Sequence, residues 1–197
     1  MDMYPVGELY QEKYHMNATA TATSTWTIDP VHSAAEFKIK HMMVSNVKGR
    51  FTALTGTVTL DETDISQSSV EATIEAASID TRNEQRDAHL KSADFFDVEQ
   101  FPTLAFKSTA VQRVAPGQLL VTGDLTIHGV TRSVSFEVEG PSMPTKDPWG
   151  GTRIGLEAVA KIRRKDFGLV YNAALETGGV VVGDEVTISL DVELTAA

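Results

Sequence analysis

The stretch Leu119-Leu-Val-Thr-Gly-Asp-Leu-Thr-Ile127-His128-Gly129-Val130-Thr-Arg-Ser-Val134-Ser-Phe-Glu-Val138-Glu139 decides how the chain is read. Leu119, Val121, Gly123, Leu125 and Ile127 fall on one side of an extended backbone, and Val134, Phe136 and Val138 alternate with Ser135, Glu137 and Glu139. A period of two marks a strand with one buried face. His128-Gly129 between the two limbs suits a two-residue hairpin, whose central positions require positive φ. The unit reads as an antiparallel hairpin with one apolar and one polar face.

The same rhythm continues in both directions. Downstream, Ile154, Leu156, Ala158, Ala160 and Ile162 form one strand, and Val186, Ile188, Leu190, Val192 and Leu194 another. Upstream lie a short strand at Leu104 and Phe106, then Val70, Ala72, Ile74 and Ala76, then Leu54, Gly56, Val58 and Leu60, then Ala35, Phe37 and Ile39. Pro116-Gly117 suits the centre of a type II turn, and Pro148-Trp-Gly-Gly151 a wider connection. Thr81-x-x-Glu84 has capping-box spacing and Pro102 forbids continuation, which predicts one helix over 81–93. Gly178, Gly179 and Gly183 precede a strand, not a helix N-terminus, and read as a loop rather than a phosphate cradle. The fold class is therefore all-β, with eight antiparallel strands. Closing them into a barrel removes the edges, while a two-sheet sandwich would use the same alternation.

With 197 residues and 21.4 kDa, the chain suits one globular domain. Residues 1–25 are polar and read as a flexible segment or leader, and 26–197 as the domain. The chain has no cysteine, which excludes disulfides, thiolate metal sites and a cysteine nucleophile. A net charge of −10 argues against nucleic acid and anionic membrane surfaces as partners. Apolar runs such as Val180-Val-Val182 fall far short of the ~20 residues of a spanning helix, so no integral membrane association is expected. The first residues lack a basic start followed by an apolar stretch. That predicts a cytoplasmic location, with the periplasm as the alternative if a native signal has been replaced.

Small residues recur on the inward face: Ala35, Gly56, Ala72, Ala76, Gly123, Ala158 and Ala160. An eight-strand barrel is just wide enough to be filled by side chains or to hold one small ligand, so this trimming leaves both a cavity and a tapered, filled core open. The apolar lining of such a cavity would be Phe37, Ile39, Ala72, Ile74, Phe96, Phe106, Gly123, Leu125, Phe136, Leu156 and Ala158. Phe95, Phe96 and Phe101 need burial and would cap one end. His32, His41, His89 and His128 show no metal-ligand spacing, and no nucleophile elbow or P-loop is present. Structural roles are expected for them, with no catalytic residue, metal or cofactor. Arg86, Asp87, His89, Lys91 and Asp94 read as the mouth of a cavity or the solvated face of the helix.

Trp26-Thr-Ile-Asp29-Pro-Val-His32-Ser33, followed by Phe37, His41, Gly49 and Phe51, resembles the opening signature of the YceI-like proteins. Ser78-Ile-Asp80-Thr81, Arg86-Asp87-x-His89-Leu-Lys-Ser-x-Asp94-Phe-Phe-Asp97, Phe101-Pro102 and Phe106 extend it, as do Gly123-x-Leu-Thr-Ile-His-Gly-Val-Thr131, Asp166-Phe-Gly168 and Val182-Gly-Asp-Glu-Val186. The resemblance spans 26–194. It implies a lipocalin-like eight-stranded antiparallel barrel with one short helix, whose interior holds a long-chain amphiphile such as a polyisoprenoid or fatty-acid derivative. It further implies binding, sequestration or transport rather than catalysis, and a homodimer. Many relatives are periplasmic. The competing readings are a filled-core structural or stress-related barrel acting through protein partners, and a small metal-dependent hydrolase using the histidines.

Overall fold

The computed structural model describes residues 23–174 and 179–197. Its strands are β1 (Thr23–Ile28), β2 (Ala34–His41), β3 (Ser45–Phe51), β4 (Leu54–Asp61), β5 (Ser69–Glu75), β6 (Ile79–Asp80), β7 (Thr103–Ala115), β8 (Gln118–Ile127), β9 (Val130–Glu139), β10 (Thr145–Lys146), β11 (Thr152–Arg163) and β12 (Val182–Ala196). The α-helix is α1 (Glu84–Lys91). These pieces make eight staves, because β1 runs on into β2, β3 into β4 and β5 into β6, and the two-residue β10 only flanks the start of β11. Each stave pairs antiparallel with the next in sequence, and β12 closes the ring by pairing with β11 on one edge and with β1 and β2 on the other. The structure is a closed barrel, and the sandwich alternative falls away.

The hairpin that opened the reading forms as expected: Leu119 pairs with Val138 and Ile127 with Val130, with φ of 51° at His128 and 70° at Gly129. Elsewhere the elements exceed the periodicity. Thr23–Ile28 and Ser45–Phe51 are strands the alternation did not yield, and Thr23–Thr25, placed in the leader, already pair with β4. Both are continuations of staves already counted, so the total of eight holds. Leu104 and Phe106 are the start of a 13-residue strand. Register shifts between Ser108 and Ala110 and between Arg113 and Ala115 break its alternation.

The first stave breaks at residues 29–33, where Ser33 substitutes for the ladder. Its hydroxyl accepts from the Glu193 N–H at 3.0 Å and donates to the Glu193 carbonyl at 3.3 Å. The helix is shorter than 81–93, and Asn83 rather than Thr81 caps it, its Oδ1 accepting from the Arg86 N–H at 2.9 Å. Thr81 is instead spent on Asp87, donating from N–H at 2.9 Å and Oγ1 at 2.5 Å. No residue of α1 is fully buried, so it lies across one end of the barrel rather than in a core. Gly178 lies outside the described residues.

Candidate functional site

The inward face of the staves does not fill the barrel. A cavity of about 460 Å³ remains, within the roughly 300–1,000 Å³ range of small-molecule sites. It runs from Ser68, Leu119 and Pro141 at one end to Arg86, Phe95 and Tyr171 beneath α1 at the other, here termed the helix end. Leu119 and Ile127 of β8 both contribute to its wall, a span of about 26 Å along a strand. The wall is almost wholly apolar, supplied by Val, Ile, Leu, Phe and Ala from every stave.

Of the residues expected to line a cavity, Phe37, Ile39, Ala72, Ile74, Phe96, Phe106, Leu125, Phe136, Leu156 and Ala158 do so. Gly123 does not. A Cβ there would lie 2.5 Å from Cζ of Phe106 and 2.4 Å from the Lys107 carbonyl, so the Phe106 ring covers the glycine. Gly56 is covered likewise by Ile28, and Ala76 and Ala160 are packed away from the cavity. The open volume therefore comes from alanines, Ala35, Ala72 and Ala158 among them, and not from glycines. Phe95 and Phe96 do close toward the helix end, Phe96 standing edge-on to Phe51 at 5.7 Å. Phe101 lies outside, its ring edge-on to His128 at 4.5 Å over the β8–β9 turn.

The polar groups of the wall gather at the helix end. His41 follows Ile39 in the inward alternation of β2, and Arg86, His89 and Leu90 share one face of α1. Arg86 is fixed by bonds from Nε to Thr81 Oγ1 (2.7 Å) and from Nη2 to the Thr81 carbonyl (2.8 Å), and His89 by Asp94 at 2.8 Å. The rings of His89, Phe95 and Tyr171 pack together, His89 lying 5.1 Å from Phe95 and 4.8 Å from Tyr171.

Behind them lies Arg164, buried at 3% exposure. Its guanidinium donates to four backbone carbonyls: Gly183 (2.7 Å), Leu169 (2.5 Å), Tyr171 (2.8 Å) and Val182 (3.3 Å). Among the described residues no carboxylate lies within salt-bridge distance of it. Asp184, whose charge acts on it, is turned to Arg163 at 3.2 Å. Burial pushes the pKa of Arg164 down. Nothing in the sequence pattern distinguished this arginine from the other cations.

The opposite end of β11 carries a contrasting cluster. Arg153 reaches Asp29 (2.6 Å), Asp147 (2.9 Å) and Glu193, and His32 meets Asp29 at 2.9 Å. The Asp29, His32 and Glu193 ligand atoms lie within 4.8 Å of one another, a spacing suited to a metal ion. The Arg153 guanidinium sits on both of those carboxylates, so the cation at this place is the protein's own. The His32 hydrogen bond, then Arg153 and the Val31 N–H, hold the Asp29 carboxyl far below the usual range. The Arg153 bond lowers Asp147, and the three acids raise Arg153. His32 thus serves a structural junction, and His128 a turn.

A family model described as YceI-like domain matches residues 26–194. A UPF0312 protein of Staphylococcus aureus is 40% identical over 173 residues, covering 87% of this chain and 98% of its own. The crystal structure of Burkholderia cenocepacia BcnA superposes with a TM-score of 0.72 at 25% identity, over 84% of this chain and 98% of that one. A polyisoprenoid binding domain from Saccharophagus degradans, implicated in plant cell wall breakdown, shares the fold at a TM-score of 0.63 and 15% identity, over 87% and 98% of the two chains.

Proposed function

The chain belongs to the YceI-like domain family, and from that premise we propose that it binds a long-chain amphiphile, a polyisoprenoid or fatty-acid derivative, and sequesters or carries it. The observation that supports this reading is the apolar cavity itself, which extends along the barrel between its two ends. An elongated space with an aliphatic and aromatic wall suits a chain whose transfer from water is favourable by roughly 0.8 kcal/mol per methylene buried. The polyisoprenoid-binding neighbour, which has the same fold, supports the ligand class.

The direct test is mass spectrometry of an organic extract of the purified protein, followed by binding of a fluorescent acyl probe to the delipidated form. A co-purifying long-chain lipid, or saturable binding of the probe, is expected; neither being seen would end the proposal. Ala72→Phe sharpens it. Ala72 lines the cavity and stands opposite Phe106 across the β5–β7 ladder. A ring placed there takes ligand volume, so affinity should fall more than stability. Overpacking by about 1–3 kcal/mol with binding retained would mean that Ala72 belongs to the packed wall and not to the site.

A further inference from the structure

The cavity's polar groups are unevenly distributed. Arg86, His41 and His89 border it at the helix end, Arg164 stands beside them, and the far end offers Ser68. This chain carries a net charge of −10, yet among the described residues no acid is turned into the helix end. Asp87 is engaged by Thr81 and Asp94 by His89, and neither borders the cavity. Glu36, which does border it, faces outward in the alternation of β2. Among the described residues neither Arg86 nor Arg164 has a carboxylate within 4.0 Å. The two Arg86 bonds to Thr81 leave guanidinium N–H groups to spare. Arg164 is a buried cation whose hydrogen bonds are satisfied by carbonyls and which, among the described residues, is paired to no carboxylate, a costly arrangement that a nearby anion relieves.

We propose that the amphiphile bound in the barrel carries an anionic oxygen headgroup, a carboxylate or a phosphate, seated at the helix end against Arg86, His41 and His89 in the positive field of Arg164. This rests on the lipid-binding reading and narrows it: the barrel selects for the head as well as the chain. Arg86 is the primary contact, because a guanidinium can meet two oxygens of one carboxylate or phosphate at once. The apolar chain then extends past Phe96 and Phe37 toward Leu119.

The test compares matched probes on the delipidated protein by fluorescence displacement: oleic acid with oleyl alcohol, and geranylgeranyl phosphate with geranylgeraniol. At least one acid should bind about tenfold or more tightly than its alcohol, as a charge-assisted contact requires. In Arg86→Gln the ratio should collapse toward one. Lys107→Gln, which removes an outward-facing cation paired to Glu71, should leave the ratio as in the wild type. If Arg86→Gln does not fold, a salt titration of the wild type reads the same property: the acid weakens as salt rises and the alcohol does not. Equal affinities within both pairs, or a ratio that survives Arg86→Gln, would overturn the headgroup assignment while leaving the carrier reading intact. A protein that binds no member of either pair would overturn both.

Discussion

Arg153 and Arg164 mark the two ends of β11, eleven residues and some 36 Å of extended chain apart, and they solve the problem of holding a cation in opposite ways. Arg153 gathers three carboxylates from three separate segments and joins the break after β1, the loop before β11 and the end of β12. Arg164 gathers four carbonyls and, among the described residues, no carboxylate, tying the turn after β11 to the start of β12. The first cluster carries surplus negative charge and closes a seam. The second leaves positive charge beside an apolar cavity. Where charge is balanced within the fold the arginine is a fastening, and where it is not the imbalance is available to a ligand.

The largest effect expected from breaking this contrast is at the buried end. Arg164→Met leaves the Gly183, Leu169 and Tyr171 carbonyls without that donor, while the Val182 carbonyl keeps the Asn172 amide at 2.7 Å. A loss of about 3–5 kcal/mol is expected, read by urea denaturation. Arg164→Lys should recover only part of it, since an ammonium has three donors and no planar fork. An Arg164→Met protein as stable as the wild type would show that the carbonyls find other partners, and the contrast would lose one side.

At the other end the effect should be smaller and dependent on pH, because water reaches the cluster and screens it. Asp29 and Asp147 titrate below their ordinary range in the folded protein. A carboxyl depressed on folding contributes stability that is fully present above its unfolded pKa, near 4, and is lost as pH falls through its folded value. The wild type should therefore lose stability steadily from about pH 4 downward. Arg153→Met removes the Arg153 contribution to both depressions, so it should be less stable at neutral pH and show a shallower acid limb. Melting temperatures from neutral pH to pH 2.5 would check it; parallel curves for the two proteins would mean that Arg153 does not set the acid response.

Most of the barrel was legible because its signal is local. Alternation along Leu119–Ile127 and Val134–Val138 reports burial residue by residue, and ten of the expected lining positions followed from the inward pattern and the paired Phe95-Phe96. The β7 strand was under-read because its bulges shift the period. Gly123 was misplaced because a missing side chain reads as space, although a neighbour's ring occupies it. The two arginine clusters were illegible for a different reason. Asp29, Asp147, Arg153 and Glu193 meet only once β1, β11 and β12 are side by side, and no spacing along the chain encodes that. His41 and Arg86 likewise become neighbours of one cavity only through closure of the barrel.

The smallest expected effect tests whether the helix end is a built site or an incidental cover. Asn83 is the N-cap of α1 and bonds the Arg86 N–H, so it fixes the first turn of the helix that presents Arg86 and His89. Asn83→Ala should cost about 1 kcal/mol where the helix is coupled to global unfolding, a fall of roughly 2–4 °C in a domain of this size. Since α1 buries no residue completely, part of that cost should appear as local opening: faster amide exchange over 84–91 with the barrel strands protected as before. The acid-to-alcohol binding ratio should fall with it, because a frayed first turn no longer holds the Arg86 guanidinium in place. Faster exchange with an undiminished ratio would mean that the head is held by the staves, through His41, and that α1 merely covers it.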